Sequence, residues 1–429
     1  MIYSDSILKD DSQYVWHPFG ALKGDWEVLP VKKANGVHLH LNDGRQILDA
    51  ISSWWVNIHG HANKELAEAI FHQASTLEHV IFSGFTHTPA VTIAKSLIEL
   101  FGADMQRAFF SDDGSTAVEV ALKMAIQYWN NLEQPKRKIV ALEGAYHGDT
   151  FGAMAVGDRS DFTKPFHAML FEVEFIPFPE EGQEERTIQA LEAMVSGGQV
   201  AAFIYEPLIQ GAGGMRIYSP KVLDKLIAIA KAADVLCIAD EVMTGFGRTG
   251  SYFASQQCQN QPDLVCLSKG ITGGFLPMGL TLCNRKVEAA FLSEESRKAL
   301  YHGHSYTANP IACAVAVKSL EILQRLNTQE AIKFIQTSHS KFAFKIQQHS
   351  AVSSAKVCGT IVAIEIKVDA NSGYFSSLRK TLYNFFLERN ILLRPLGNTI
   401  YIMPPYVISA EELRSIYEAI TGFLDTYKA

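Results

Sequence analysis

The chain has 429 residues with 48% hydrophobic content, which is more than one ordinary core requires, so two domains are expected. A formal net charge of −7 supplies no basic surface for nucleic acid, and no apolar run reaches the ~18 residues that would span a bilayer. Asp5, Lys9, Asp10 and Asp11 leave no apolar leader in the first residues, and six cysteines without a CxxC pair predict buried, reduced thiols and a cytoplasmic setting.

Residues 1–60 read as irregular and strand-rich, with Gly36-Val-His-Leu-His-Leu41 alternating and Asn42-Asp-Gly44 as a turn. Trp54-Trp55 is a rare doublet. Adjacent side chains point in different directions, so one of the two is expected to line a cleft. From about 63 to 315 helical and strand patterns alternate. The helices are expected near 63–79, 89–100, 115–130, 186–196 and 220–233, and the strands near 107–111, 138–142, 201–205, 235–240, 264–268 and 278–283. This rhythm predicts an α/β fold with a mostly parallel sheet covered by helices. Beyond 316 the pattern becomes α+β, with helices over 310–326, 330–349 and from 409, and strands near 360–367 and 400–403. The expected layout is a large domain (61–315) and a small domain built from both chain ends (1–60 and 316–429).

Two of the predicted strands end in charge. Val235-Leu-Cys-Ile-Ala closes on Asp240, and Leu264-Val-Cys-Leu-Ser closes on Lys269. Ligands of open α/β sheets bind beyond the carboxyl ends of the strands. A lysine there can bond covalently to a carbonyl, and a carboxylate can hold a pyridinium nitrogen protonated. The pair therefore suggests pyridoxal phosphate chemistry.

Other segments join this reading, each with a plainer alternative. Gly114-Ser115-Thr116 opens a helix directly after a strand, which makes an anion seat or an ordinary N-cap; beside the Asp240/Lys269 pair the phosphate seat is favoured. Tyr146 follows the strand 138–142, where it either stacks on a flat ring or decorates a surface loop. Glu206 ends the strand 201–205 in the same way, as a site acid or a solvated one. Gly245-Phe-Gly-Arg-Thr-Gly250 matches GxGxxG, but its strand ends too early and no strong helix follows, so dinucleotide binding is not read from it. His59-Gly-His61 and His302-Gly-His304 lack a carboxylate or cysteine at ligand spacing, so no metal is read there. Arg394 stands alone in an apolar stretch and calls for a carboxylate, from the protein or from a substrate.

Taken together, the sequence resembles the class III, fold-type I aminotransferases that depend on pyridoxal phosphate. The likeness runs over nearly the whole chain and is most specific in Ala239-Asp-Glu-Val-Met-Thr-Gly-Phe-Gly-Arg-Thr-Gly250 and Ser268-Lys-Gly270. Trp16-His-Pro18, Ser53-Trp-Trp55, Gly144-Ala-Tyr-His-Gly-Asp-Thr-Phe-Gly-Ala-Met154, Glu206-Pro-Leu-Ile-Gln-Gly-Ala-Gly-Gly-Met215 and Leu393-Arg-Pro-Leu-Gly397 resemble the branch that aminates 8-amino-7-oxononanoate in biotin biosynthesis.

The resemblance implies a set of roles. Lys269 holds the cofactor and moves the proton, Asp240 pairs with the ring nitrogen, and Gly114 and Ser115 hold the phosphate. Tyr146 stacks near the ring and borders the substrate, and Glu206 is counted with the cofactor-binding residues. Gly303, His304 and Ser305 match a loop that reaches the phosphate across a homodimer interface. Trp54 and Trp55 line the substrate cleft, Arg394 binds the carboxylate of the keto acid, and Asp149 and Arg248 match positions near the site. Phe19 stands where many members carry tyrosine, keeping the stacking face and losing the hydroxyl. The expected amino donor is S-adenosylmethionine, with lysine as the alternative donor and an ω-amino acid or diamine aminotransferase as the alternative enzyme.

Overall fold

The computed structural model describes residues 2–24, 27–368 and 377–427. Its centre is a seven-stranded sheet. In spatial order the strands are Met105–Ser111, Gly279–Asn284, Leu264–Leu267, Leu236–Asp240, Val200–Tyr205, Lys138–Leu142 and Glu174–Ile176. Only Gly279–Asn284 runs antiparallel to its neighbours; the remaining pairings are parallel. Every residue of Val200–Tyr205, Leu236–Asp240 and Leu264–Leu267 is buried. Helices cover both faces, so these strands read as continuous apolar runs without alternation.

One layer under the sheet is anchored by the helix Gly114–Asn131. Trp129 on this helix is fully buried and its indole N–H donates to the carbonyl of Ala201 at 2.9 Å. Ala117, Val118, Ala121, Ala125 and Trp129 face the sheet through Ile139, Ala202, Ile238 and Leu264. The helix therefore lies across the central strands, and its N-terminus points to their carboxyl ends.

The two ends of the chain meet. Val31–Asn35, His38–Leu41 and Gln46–Asp49 form a sheet with Ile391–Leu392, in which Leu48 pairs with Ile391 and Asp49 with Leu392. A separate antiparallel sheet joins Val352–Cys358, Ile361–Ile366 and Thr399–Ile402. The backbone N–H of Met403 donates to the carbonyl of Ala50 at 2.9 Å. The segment around residue 394 is thereby brought beside Trp54, although the two are far apart in sequence.

The α/β pattern and its mostly parallel sheet match the expectation, and the expected helices and strands form with small shifts at their ends. Several elements were not anticipated, among them the helix Ile2–Tyr14, the three-residue strand Glu174–Ile176, the helices Phe151–Val156 and Arg285–Ala289, the strand Val352–Cys358 and the helix Ser377–Leu387. Ile2–Tyr14 carries no apolar stripe, and its described side chains are mostly exposed, so periodicity gives no sign of it. Glu174–Ile176 exists as the edge partner of Lys138–Leu142. The GxGxxG stretch is a run of turns after Asp240, with Gly247 and Gly250 at φ +95° and +94°, and it leads only into the four-residue 3-10 helix Ala254–Gln257, not an α-helix. Among the described residues no helix is long and apolar enough to cross a membrane.

One contact links the sheet to the helix N-terminus. A Cβ at Gly279 would lie 2.1 Å from the carbonyl oxygen of Asp113 and 2.5 Å from Ser111 Oγ. Gly279→Ala should push the antiparallel strand away from the helix cap. The expected cost is about 1–3 kcal/mol, visible as a lower urea midpoint together with weaker cofactor retention.

Candidate active site

Asp240 and Lys269 sit side by side because their strands are neighbours in register, with Asp240 opposite Cys266. Asp240 is 4% exposed. Its Oδ1 accepts the N–H of Val242 at 3.1 Å, and its Oδ2 lies 2.6 Å from Nδ1 of His147. His147 is buried too, and its Nε2 has no partner. A buried carboxylate held on one side by a histidine, with oxygen lone pairs to spare, is suited to a cationic ring nitrogen.

Lys269 is partly buried, with a left-handed backbone at φ +48°. Its Nζ lies 4.4 Å from the centre of the Trp55 ring. Burial lowers the amine from 10.5 to about 8, against the opposing pull of Asp240 and Glu206 and with a smaller push from Arg248. Glu206 is buried, and burial raises its carboxyl from 4.5 to about 7. Its oxygens accept the N–H of Tyr146 at 3.0 Å and of Gly211 at 2.8 Å, which ties together the loops after two sheet strands. The Tyr146 ring is 36% exposed and borders the cleft. Burial and the neighbouring Asp149 carboxylate push its hydroxyl well above the usual phenol value.

The helix Gly114–Asn131 starts with a capping box between Asp113 and Thr116, which consumes the N–H of Thr116. The N–H groups of Gly114 and Ser115 have no protein partner among the described residues. Ser115 Oγ accepts the N–H of Asp149 at 3.1 Å. A Cβ at Gly114 would lie 2.7 Å from a methyl of Val242, two residues after Asp240, so the absence of a side chain lets the helix start approach the Asp240 loop. Free N–H groups, a hydroxyl and the helix dipole together suit an anion such as a phosphate.

The opposite wall is strained. Ser52, Ser53 and Trp55 all have positive φ, at +52°, +60° and +72°, each costing about 1–2 kcal/mol for an L-residue. Trp55 points inward, with its indole N–H donating to Tyr401 Oη at 3.0 Å. Trp54 points outward at 37% exposure. The Arg394 guanidinium lies 4.4 Å from the Trp54 ring centre, and the Phe19 ring meets Trp54 edge-on at 5.7 Å. Among the described residues no acid stands within ion-pair distance of Arg394. Of the two partners left open by the sequence, the internal one is therefore not seen.

Arg248 lies elsewhere than on the cleft surface. It is 1% exposed and donates to the carbonyls of Pro404 at 2.8 Å and Trp55 at 3.3 Å, so in this chain it braces the backbone behind Trp55. His304 lies 3.4 Å from Asp112 with its Nε2 unpartnered, while Gly303 and Ser305 are exposed. The paired histidines are engaged separately: His59 with Ser319, His61 with Asp49, and His302 with Lys123. His147 was noted in sequence only as the neighbour of Tyr146, and its bond to Asp240 spans two strand ends that periodicity cannot bring together.

The sequence pattern described as aminotransferase class-III matches residues 21–424. The chain belongs to the class III aminotransferases. It is 49% identical to the adenosylmethionine-8-amino-7-oxononanoate aminotransferase of Synechococcus elongatus, over 96% of this chain and 98% of that protein. It is 35% identical to the enzyme of the same name from Helicobacter pylori, over 99% of each. The crystal structure of the enzyme of that name from Methanocaldococcus jannaschii superposes with a TM-score of 0.94 at 32% identity, covering 99% of this chain and 100% of that one. An amine transaminase from an uncultivated Pseudomonas species, solved with pyridoxal phosphate bound, gives 0.90 at 28%, covering 96% and 98%. The fold is that of the fold-type I aminotransferases, and the cofactor of this aminotransferase is pyridoxal phosphate. The residues present fit that group: a lysine amine, a buried carboxylate bonded to a histidine whose Nε2 has no partner, and an unclaimed pair of N–H groups at a helix start.

In the cofactor-free aminotransferase the Lys269 amine should titrate near 8, read from the pH dependence of its labelling by an amine reagent. Asp240 and Glu206 raise that value, so Asp240→Asn and Glu206→Gln should each move the midpoint down; an upward move would contradict the electrostatic account. Lys269→Ala should abolish turnover and the visible absorbance of the bound cofactor.

Proposed function

We propose that this aminotransferase converts 8-amino-7-oxononanoate to 7,8-diaminononanoate in biotin biosynthesis, with S-adenosylmethionine as donor. The observation that carries the acceptor is Arg394, an arginine on an aromatic face in the cleft with no acid at ion-pair distance among the described residues. A keto acid with a terminal carboxylate supplies the missing partner. The names borne by full-length relatives support the same acceptor.

When bound, the cofactor supplies an electron sink and carries the amino group between donor and acceptor in two half-reactions through one site. Asp240 holds a positive ring nitrogen by its charge, and His147 fixes the carboxylate's orientation. Gly114 and Ser115 bind the phosphate. Lys269 Nζ, near 8, is matched to taking and returning a proton close to neutral pH. Arg394 binds the acceptor's carboxylate, and its guanidinium lies over the Trp54 ring, 4.4 Å from the centre. Tyr146 borders the substrate, its backbone held by Glu206 and its hydroxyl beside Asp149.

Phe19 offers an aromatic edge to a donor but no hydroxyl, which keeps lysine as the second reading for the donor. A homodimer is part of the proposal. Asn309 Nδ2 donates to the Glu78 carbonyl at 3.2 Å and the His79 and Tyr306 rings lie 5.4 Å apart, so the 303–309 loop lies against the 78–85 stretch. Ile81, Phe85 and Tyr306 are 60%, 62% and 62% exposed in the single chain. An apolar surface of this kind suits a second copy, and Gly303, His304 and Ser305 would then face the partner's phosphate.

Incubation of the holoenzyme with each donor alone should bleach the visible cofactor band with S-adenosylmethionine; bleaching by lysine alone would reassign the donor. Arg394→Ala should raise KM for 8-amino-7-oxononanoate about ten- to a hundredfold, the worth of a charge-assisted pair, while the donor half-reaction changes little. Light scattering should report twice the chain mass.

A further inference from the structure

We propose that Asp49 is the positioning residue for both tryptophans of the cleft, setting the Trp55 face against Lys269 and the Trp54 face against Arg394. Asp49 ends the strand Gln46–Asp49 and is fully buried. Its Oδ1 accepts the N–H of Ile51 at 3.1 Å. Its Oδ2 accepts the N–H of Ser53 at 2.6 Å and the Ser53 hydroxyl at 3.0 Å, and lies 2.8 Å from Nε2 of His61. One carboxylate thus gathers donors from Ile51, just before the bend, and from Ser53 within it, where Ser52, Ser53 and Trp55 have positive φ.

The bend has no glycine to make it cheap, so outside contacts must hold it. The Ser52 hydroxyl donates to the carbonyl of Met403 at 2.9 Å. Arg248 holds the Trp55 carbonyl; burial lowers its guanidinium, against the opposing pull of Tyr406 and, less, of Asp49. His61 is itself pinned by paired backbone bonds to Gly36, at 2.7 and 3.1 Å. The carboxylate therefore connects a fixed scaffold to a strained segment whose two rings touch the amine and the guanidinium, each at 4.4 Å.

The acceptor half of this inference rests on the substrate reading above; the amine half does not. The test uses full-length Asp49→Asn. In the cofactor-free protein the labelling midpoint of the Lys269 amine should rise, because a loosened Trp55 admits water. Loss of the Asp49 charge alone would lower an amine midpoint, so a rise reports packing. In the holoenzyme KM for 8-amino-7-oxononanoate should rise roughly tenfold, the loss expected when charge-assisted bonds are cut. Ser53→Ala, which removes only the hydroxyl bond, should move both readouts in the same direction by less, and it carries the test should Asp49→Asn not fold. A lower melting temperature with amine midpoint and KM unchanged, in either variant that folds, overturns the proposal. Absence of 8-amino-7-oxononanoate turnover in the wild type would sink the substrate reading instead, and the amine midpoint would still decide the role of Asp49.

Discussion

The structure depends on keeping ionisable groups at the dry ends of adjacent strands. Asp240, Glu206, His147 and the Lys269 amine share one enclosure. Isolated charges there would be very costly. The cost is contained in three ways: His147 bonds Asp240, backbone N–H groups satisfy Glu206, and the amine falls toward neutrality. The same burial that penalises the charges brings an acid and an amine into the range where protons move near neutral pH. Catalytic capacity and folding cost thus have one source, the depth at which the sheet ends.

The scaffold delivers these groups by register. Parallel strands with both faces covered present only their carboxyl ends to ligands, and Asp240 opposite Cys266 makes Lys269 its neighbour. The antiparallel Gly279–Asn284 strand lies between Leu264–Leu267 and Met105–Ser111, which brings the start of the Gly114–Asn131 helix to the same edge. The far wall comes from both chain ends, joined where Gln46–Asp49 pairs with Ile391–Leu392. In the proposed assignment, ring nitrogen, phosphate and carboxylate are met by three separately built parts of one cleft.

The groups carried on local patterns were legible in sequence. Asp240 and Lys269 close unbroken apolar runs, and Gly114 and Ser115 stand between a strand and a strongly periodic helix. The GxGxxG letters were set aside because their context lacked a helix, and the turns that replace it agree. Less was legible where contacts are long-range. Nothing near Arg248 in sequence signals that it bonds Pro404 rather than facing the cleft. Asp49 looks like an ordinary strand end until Ser53 and His61 fold onto it. The polar helix Ile2–Tyr14 lacks the stripe that periodicity needs, and the edge strand Glu174–Ile176 is too short to announce itself.

The backbone of Lys269 has a further consequence. At φ +48° a lysine is held where glycine or asparagine would rest more easily, and its amine is desolvated as well. Tolerance of heat and competence in amino transfer therefore pull in opposite directions at this position. A library sorted for melting temperature alone would drift toward inert proteins, so attempts to toughen this enzyme should sort on retained turnover after heating.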